Sequence, residues 1–357
     1  MALHEAPRYH SAAKYRFSNE QADNIVRIAA YHRRDFALSV IWFPPREQLL
    51  VRASISMSFD RASNRDLGVL DLLPVELLHN IALRLDILSV FRLRQTNHRA
   101  REIMGGLKEY RTVALQGLDC FRALLRTGLA IAVSLSDFYK AVCTESCAVC
   151  GAFSGFISLV TWTRCCFECV QKAPETQLRS LASIQNRFPF AEVEIDSLQS
   201  FETLPGTYTM EEAAYKSRTA VVSLYQITLL PQQKGALAWE GAHPRPSARE
   251  LRCRLKYNFM GACALDYYNK QTGKVERGVS CAGCQLAFEK GIIGSLGESW
   301  ARQACDKVYS KAGYLEHFKW CEQAQLLWAL SEGGSHQPAE LPEAARRGGF
   351  FKPRDGE

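Results

Sequence analysis

The 357 residues carry 44 basic and 37 acidic side chains, a net charge of +7, and are 47% hydrophobic and 23% charged. That balance is ordinary for a globular protein of two or three domains, and so mild a surplus does not by itself imply nucleic acid as a partner. The first thirty residues lack a long apolar core, and the most apolar later run, Gly128–Leu135, is too short to span a bilayer. An intracellular chain, cytoplasmic or nuclear, with no membrane partner is expected.

Residues 1–66 show little periodicity, and a partly disordered N-terminal region is expected there. Asn24–His32 reads as a short helix, and Ala37–Trp42 and Leu49–Met57 as strands. The stretch SFDRASNRD, Ser58–Asp66, reads as a solvated linker.

A region spanning 67–112 follows, organised around LDLLPVELLHNIALRLDILSVFRLRQTNHRAREIMGGLKEYR, Leu70–Arg111. Three short helices are predicted. Pro74 suits a first helical position, where a missing N–H costs nothing. Leu77, Leu78, Ile81 and Leu85 recur at steps of three and four and form one apolar stripe. Asp86 caps a second helix carrying Ile87, Leu88, Phe91 and Leu93, and Asn97 caps a third with Ala100, Ile103 and Met104 inward. Gly105-Gly106 stops it. Leu72, Leu73, Leu77, Leu78, Ile81, Leu83, Leu85, Ile87 and Leu88 exceed one core-facing stripe. Either the rest of the chain or another protein must cover them.

Leu73-Pro74-Val75-Glu76-Leu77-Leu78, the spaced Ile81, Leu85-Asp86, and Leu93-Arg94-Gln95-Thr96-Asn97 stand in an order that resembles the F-box. The resemblance implies docking onto the Skp-type adaptor of a cullin–RING (SCF-type) ubiquitin ligase. It implies an adaptor-binding set of Leu73, Pro74, Leu77, Leu78, Ile81 and Leu85.

A region spanning 113–230 comes next. Val113–Leu115 reads as a strand, Asp119–Thr127 as an amphipathic helix with Phe121, Leu124 and Leu125 inward, and Ser136–Val142 leads into the cysteines. There are thirteen cysteines, an odd number and many for a reducing compartment. Cys147-A-V-Cys150 and Cys166-F-E-Cys169 form two C-x-x-C knuckles, which in an intracellular chain point to metal before disulfides. Two knuckles at this spacing fit a four-thiolate zinc site, and FSGFISLVTW between them can form the hairpin that brings them together. The alternative is buried free thiols, which pack well. Cys143 and Cys165 are spare candidates. Cys165 adjoins Cys166 and points elsewhere on a knuckle. Gln177–Phe188 reads as a helix, Thr209–Glu212 as a capping box for a helix through Arg218, and Val221–Leu230 as apolar and β-rich.

Pro231–Ser247 reads as a loop opening a region spanning 231–330, and Ala248–Lys256, with Arg249, Arg252 and Arg254, as a solvated basic segment. Tyr267–Gly273 enters a hairpin whose return delivers Cys281-A-G-Cys284. His317 and Cys321, four apart, are placed one turn apart on one helix face. Cys281, Cys284, His317 and Cys321 form a second predicted zinc site, with Cys305 as a spare. The segment 331–357 is rich in Gly and Pro and is expected to be a disordered tail.

The chain has no G-x-S-x-G elbow, phosphate-binding Gly loop, H-E-x-x-H motif or dinucleotide fingerprint. Neither cysteine group leaves an open ligand position, and the spacing is not the interleaved pattern of a RING domain. A non-catalytic chain is expected. Its fold class is α+β, mainly α: a three-helix F-box followed by a mixed region with two small zinc-knuckle subdomains. With LPGTYTM, Leu204–Met210, the whole is similar to fungal F-box domain-containing proteins. The resemblance implies a substrate receptor that presents a protein for ubiquitination. The competing reading is a zinc-dependent nucleic-acid-binding or transcription-associated protein. It rests on the charge and the zinc groups and lacks a recognition helix or basic–aromatic interleaving.

Overall fold

The computed structural model describes residues 10–57, 67–186, 198–229, 255–292 and 297–352. The chain divides into two compact units, one made of Met1–Phe36 with Glu276–Lys352, the other of Ala37–Val275.

In the first unit the helix Ala22–Ala29 turns Ile25, Ile28 and Ala29 into a core shared with Tyr314, Phe318, Leu327 and Trp328. The strand Ala30–Tyr31 pairs antiparallel with Ser280–Cys281. Tyr15 and Phe17 meet the Phe318 ring edge-on at centroid distances of 5.4 and 5.8 Å. Residues 10–36 are therefore packed, because their apolar side chains find partners at the far end of the sequence. Arg33 grips both carboxylate oxygens of Asp35 at 2.9 and 3.0 Å and reaches Asp306 at 2.9 Å. The Phe350 amide donates to Asp35 at 3.2 Å. This closes the tail onto the unit. The expected disordered tail is instead ordered as far as Lys352, with a helix at Glu343–Arg347 and Leu341, Ala344 and Phe351 buried.

The second unit begins with another correction. The strand expected at Leu49–Met57 is part of a helix, Pro45–Ser56, and the start of the strand expected at Ala37–Trp42 belongs to the helix Arg34–Leu38. Three donors meet the last carbonyls of Pro45–Ser56 and the turn beyond. The Arg94 guanidinium donates to the Ser54 and Met57 carbonyls, and the Tyr110 hydroxyl to that of Ile55 at 2.6 Å. These long-range partners satisfy carbonyls that a helix end leaves open.

The three predicted helices are present as Val75–Arg84, Ile87–Thr96 and His98–Gly106. Pro74 stands just before the first helix rather than inside it. Asp86 accepts from the Ser89 amide at 2.9 Å and Asn97 from the Ala100 amide at 2.8 Å, so both caps form as expected. The strand expected at Val113–Leu115 is helical within Lys108–Gln116, because Tyr110, Val113 and Ala114 reach the core at helical spacing. Leu118–Thr127 and Leu135–Val142 complete the helical part. The backbone ties it to the break between the first two of these helices: the Ile87 amide donates to Val133 at 2.9 Å and the Leu135 amide to Leu85 at 3.0 Å.

The remainder of this unit is mixed. Phe156–Ser158 lies between Thr163–Cys165 and Ala262–Ala264 in one antiparallel sheet. Ala220–Ser223 lies between Leu178–Ser180 and Ser200–Glu202 in another. The helix expected over Gln177–Phe188 is thus a strand followed by the short helix Leu181–Gln185. The expected capping box at Thr209–Glu212 is the turn of a hairpin, Gly206–Tyr208 with Ala213–Tyr215. Burial of Tyr208, whose hydroxyl donates to Leu204 at 2.9 Å, holds Thr209 and Glu212 at φ of 68° and 50°. Val221–Leu230 divides into the end of a strand and the helix Leu224–Leu229. The loop Pro231–Ser247, most of the basic segment Ala248–Lys256 and the linker Ser58–Asp66 fall mostly or wholly outside the described residues. The architecture is a helical region with a mixed α/β region. Among the described residues, no helix is long and apolar enough to cross a membrane.

Candidate metal centres and exposed apolar face

Cys147, Cys150, Cys166 and Cys169 converge, with their sulfur atoms all within 4.8 Å of one another. The first knuckle is a tight turn. The Gly151 amide donates to the Cys147 carbonyl at 2.9 Å, the Cys147 amide donates to Ala152 at 2.6 Å, and Gly151 sits at a left-handed φ of 76°. The second knuckle opens the helix Phe167–Lys172, with Cys166 as its N-cap residue. The expected hairpin between them is Phe156–Ser158 paired with Thr163–Cys165. Cys165 is buried on the other side of the knuckle, as its neighbour's role requires.

Arg164 is a residue that spacing arguments missed. It is buried inside the hairpin and donates to the carbonyls of Thr144 at 3.2 Å, Ser154 at 2.9 Å and Leu265. These carbonyls flank the first knuckle and the neighbouring strand, so one guanidinium holds both sides of the turn. Burial lowers its pKa to about 10, and it stays charged at neutral pH. The available signal was a charged residue at an inward position of a short apolar hairpin.

The second group, Cys281, Cys284, His317 and Cys321, likewise falls within 4.8 Å. Cys281 and Cys321 sulfurs lie 3.7 Å apart, Cys284 and Cys321 4.0 Å, and His317 Nε2 is 3.2 Å from the Cys284 sulfur. Cys281 caps the helix Ala282–Glu289. His317 and Cys321 do not share a helix: His317 is in the last turn of Lys311–Phe318, and Cys321 caps Glu322–Leu330. The break still returns Cys321 to the cluster. His317 Nδ1 lies 3.4 Å from the Tyr309 hydroxyl, and the two rings stack at 4.8 Å. An imidazole that ligates through Nε2 carries its proton on Nδ1, where Tyr309 accepts it. Cys305, the spare, donates to the Cys284 carbonyl at 3.2 Å and is not a member of the cluster.

Both donor sets fit a tetrahedral ion. Zinc–sulfur bonds of about 2.3 Å set sulfur–sulfur separations of about 3.8 Å. The Cys150–Cys166 distance is 3.6 Å and that of Cys281–Cys321 is 3.7 Å. A hydrogen bond with Cys166 holds the Cys147 thiol down to about 4, whereas burial pushes Cys169 up to about 12. At Cys281 burial opposes ionisation, yet hydrogen bonds with Cys284 and Cys321 hold it well below the usual thiol range, while theirs are raised. A divalent cation, if bound, would favour the ionised form of every thiol in its group.

The predicted adaptor-binding residues divide. Pro74, Leu77 and Ile81 are exposed, the two aliphatic side chains at 49% and 44%, and Leu73 and Leu85 are half-buried. Leu78 is only 8% exposed, and with Ala82 it forms the buried side of its helix. Leu77 and Leu78 lie about 100° apart around the helix, and of the stripe it is Leu78 that takes the core-facing position while Leu77 and Ile81 stay exposed. Val69, Leu70, Leu72 and Val75 are exposed around the start of this helix, and the sequence reading left Val69, Leu70 and Val75 out. Arg99 reaches Asp71 at 3.6 Å, and His79 Nε2 lies 3.2 Å from the Ile103 carbonyl, fixing the exposed helix against His98–Gly106.

In comparison with known proteins, residues 70–112 match the family model of the F-box domain. No curated protein and no solved structure matches the chain.

Proposed function

We propose that this chain, an F-box domain-containing protein, is the non-catalytic receptor subunit of an SCF-type ubiquitin ligase. It binds the Skp-type adaptor through Leu73, Pro74, Leu77, Ile81 and Leu85, joined by Leu72 and Val75, and presents a protein substrate for ubiquitination. The observation that carries this reading is the uncovered apolar row within the matched domain, with Leu72 82% exposed beside Leu77 and Ile81. Such a row is costly to leave in water and marks a protein-binding face. Leu78 serves the same interface from inside by holding the helix. Zinc is the proposed occupant of both cysteine groups, as a structural ion, because all four ligand positions of each are taken by protein atoms. The likeness to fungal members of this group rests on the F-box match together with the two knuckles and Leu204–Met210, the F-box being its more specific part.

Replacing Leu77 and Ile81 together by Ala tests the adaptor face. Both are half-exposed, so folding is spared. Truncated interface anchors cost about 2 kcal/mol or more each, and affinity for the Skp-type adaptor is expected to fall more than about a hundredfold. Undiminished binding by the folded double variant overturns the reading.

A further inference from the structure

The two cysteine groups match in ligand geometry and differ in access. Cys281, Cys284 and Cys321 are buried, at 0%, 0% and 1% exposure. In the first group Cys150 is exposed and Cys166 is half-buried. Their sulfurs are 3.6 Å apart. Cys150 sits in a turn beside Gly151, where an added Cβ would meet open space. Oxidation of cysteine follows thiolate character and exposure, and a metal-bound thiolate has the first without any proton to lose.

We propose that the Cys150–Cys166 pair is an oxidation site, at which hydrogen peroxide forms a disulfide and releases the metal from the first centre while sparing the second. The inference rests on the metal reading above. The exposed Cys150 thiolate attacks one peroxide oxygen, the O–O bond breaks, and Cys150 becomes a sulfenic acid as hydroxide departs. The Cys166 thiolate then attacks the Cys150 sulfur, forming the S–S bond and expelling a second hydroxide. Two electrons pass from the sulfur pair to one peroxide, and two protons from solvent convert the hydroxides to water. With Cys150 and Cys166 joined, only Cys147 and Cys169 would remain to hold a metal at this centre, too few to retain it. The sulfurs must close from 3.6 Å to about 2.05 Å, a small movement at an open turn. A dithiol reverses the step by thiol–disulfide exchange and restores the site. Cys165 lies next in sequence but is fully buried, so it does not compete.

Removing either thiol also removes a ligand, so the unaltered full-length chain carries the test. The zinc-loaded protein is treated with hydrogen peroxide. Released metal is followed with a chromogenic chelator, and disulfides are mapped by mass spectrometry after alkylation. The expected result is release of one equivalent of two, at least about tenfold faster than the other, with a Cys150–Cys166 cross-link that dithiothreitol and zinc reverse. Release of both equivalents at one rate, retention of both, or a cross-link in which Cys147, Cys169, Cys143 or the group Cys281, Cys284 and Cys321 replaces either partner overturns the inference alone. A preparation free of zinc before oxidation overturns the metal reading and the inference with it.

Discussion

Single side chains in this protein are set by burial more than by local pattern. Asp119 shows the electrostatic side of that rule. Burial pushes its carboxyl up to about 6, although Gln48 donates to it. The folded chain therefore holds this proton more tightly than the unfolded chain, whose carboxyl titrates near 4. Stability is fully present below about pH 4 and is lost as pH rises through about 6. Asp119→Asn keeps an acceptor for Gln48 and cannot ionise. The variant is expected to be more stable at pH 7.5 by about 2–3 kcal/mol, with no advantage at pH 4. Urea midpoints at the two pH values measure this, and an equal difference at both would discount the carboxyl. Arg164 and Arg94 show the hydrogen-bonding side. Each is a buried guanidinium spent on backbone carbonyls, and each holds together segments distant in sequence. Leu77 and Leu78, adjacent in sequence, take opposite roles because the helix turns one outward and the other into the core.

Between elements, the decisive contacts are close approaches. The knuckle helix Ala282–Glu289 packs on Glu322–Leu330, and Gly283 lies at the crossing. A Cβ built at Gly283 would lie 2.2 Å from the Ala324 backbone nitrogen. The Gly of Cys281-A-G-Cys284 is therefore a packing requirement that holds Cys284 against Cys321. Overpacking a site of this kind costs about 1–3 kcal/mol. Gly283→Ala is expected to lower the melting temperature and to reduce bound zinc from two equivalents to one, the first centre being intact. A variant that keeps both ions and melts with the unaltered protein would show that the helices can part without consequence. In the other unit, rings in edge-to-face or tilted contact run from Phe91 of the second F-box helix through Phe121 and Phe138 to Trp162 of the metal hairpin. The hairpin is thereby seated on the helical part of its own unit, with Trp162 at a left-handed φ of 49°.

At the scale of the molecule, each metal group belongs to one unit: the cysteines from 147 to 169 to the unit with the F-box, and those from 281 to 321 to the unit formed by the chain's two ends. Two zinc ions per chain are expected by elemental analysis. Cys150→Ser removes one and destabilises the hairpin region; His317→Ala removes the other. Apparent zinc-binding free energies of about 10–16 kcal/mol in small domains are also folding free energies. Loss at His317 therefore loosens residues 10–36 along with 276–352, since they share one core. The F-box helices lie in the other unit, and His317→Ala is expected to keep adaptor binding. A zinc count of zero in protein made under reducing, metal-replete conditions would defeat both assignments.

What depends on near neighbours can be read along the chain. The order of residues across Leu73–Asn97, the caps at Asp86 and Asn97, the membership of both Cys/His clusters and the hairpin between Cys150 and Cys166 were legible from contacts within a few positions or from spacing along the chain. What depends on distant partners emerges only in the folded chain. Pro45–Ser56 is a helix because Arg94 and Tyr110 meet its terminal carbonyls, and Val113–Leu115 is helical because Tyr110 and Val113 share a buried face. The tail is ordered because Asp35 accepts from Phe350 while Leu341, Ala344 and Phe351 are buried. Arg164 became visible only when the carbonyls of Thr144, Ser154 and Leu265 came to surround it. Local patterns express backbone propensity and ligand spacing. Burial and carbonyl partners from remote segments override them wherever an apolar or charged side chain has no neighbour to satisfy it.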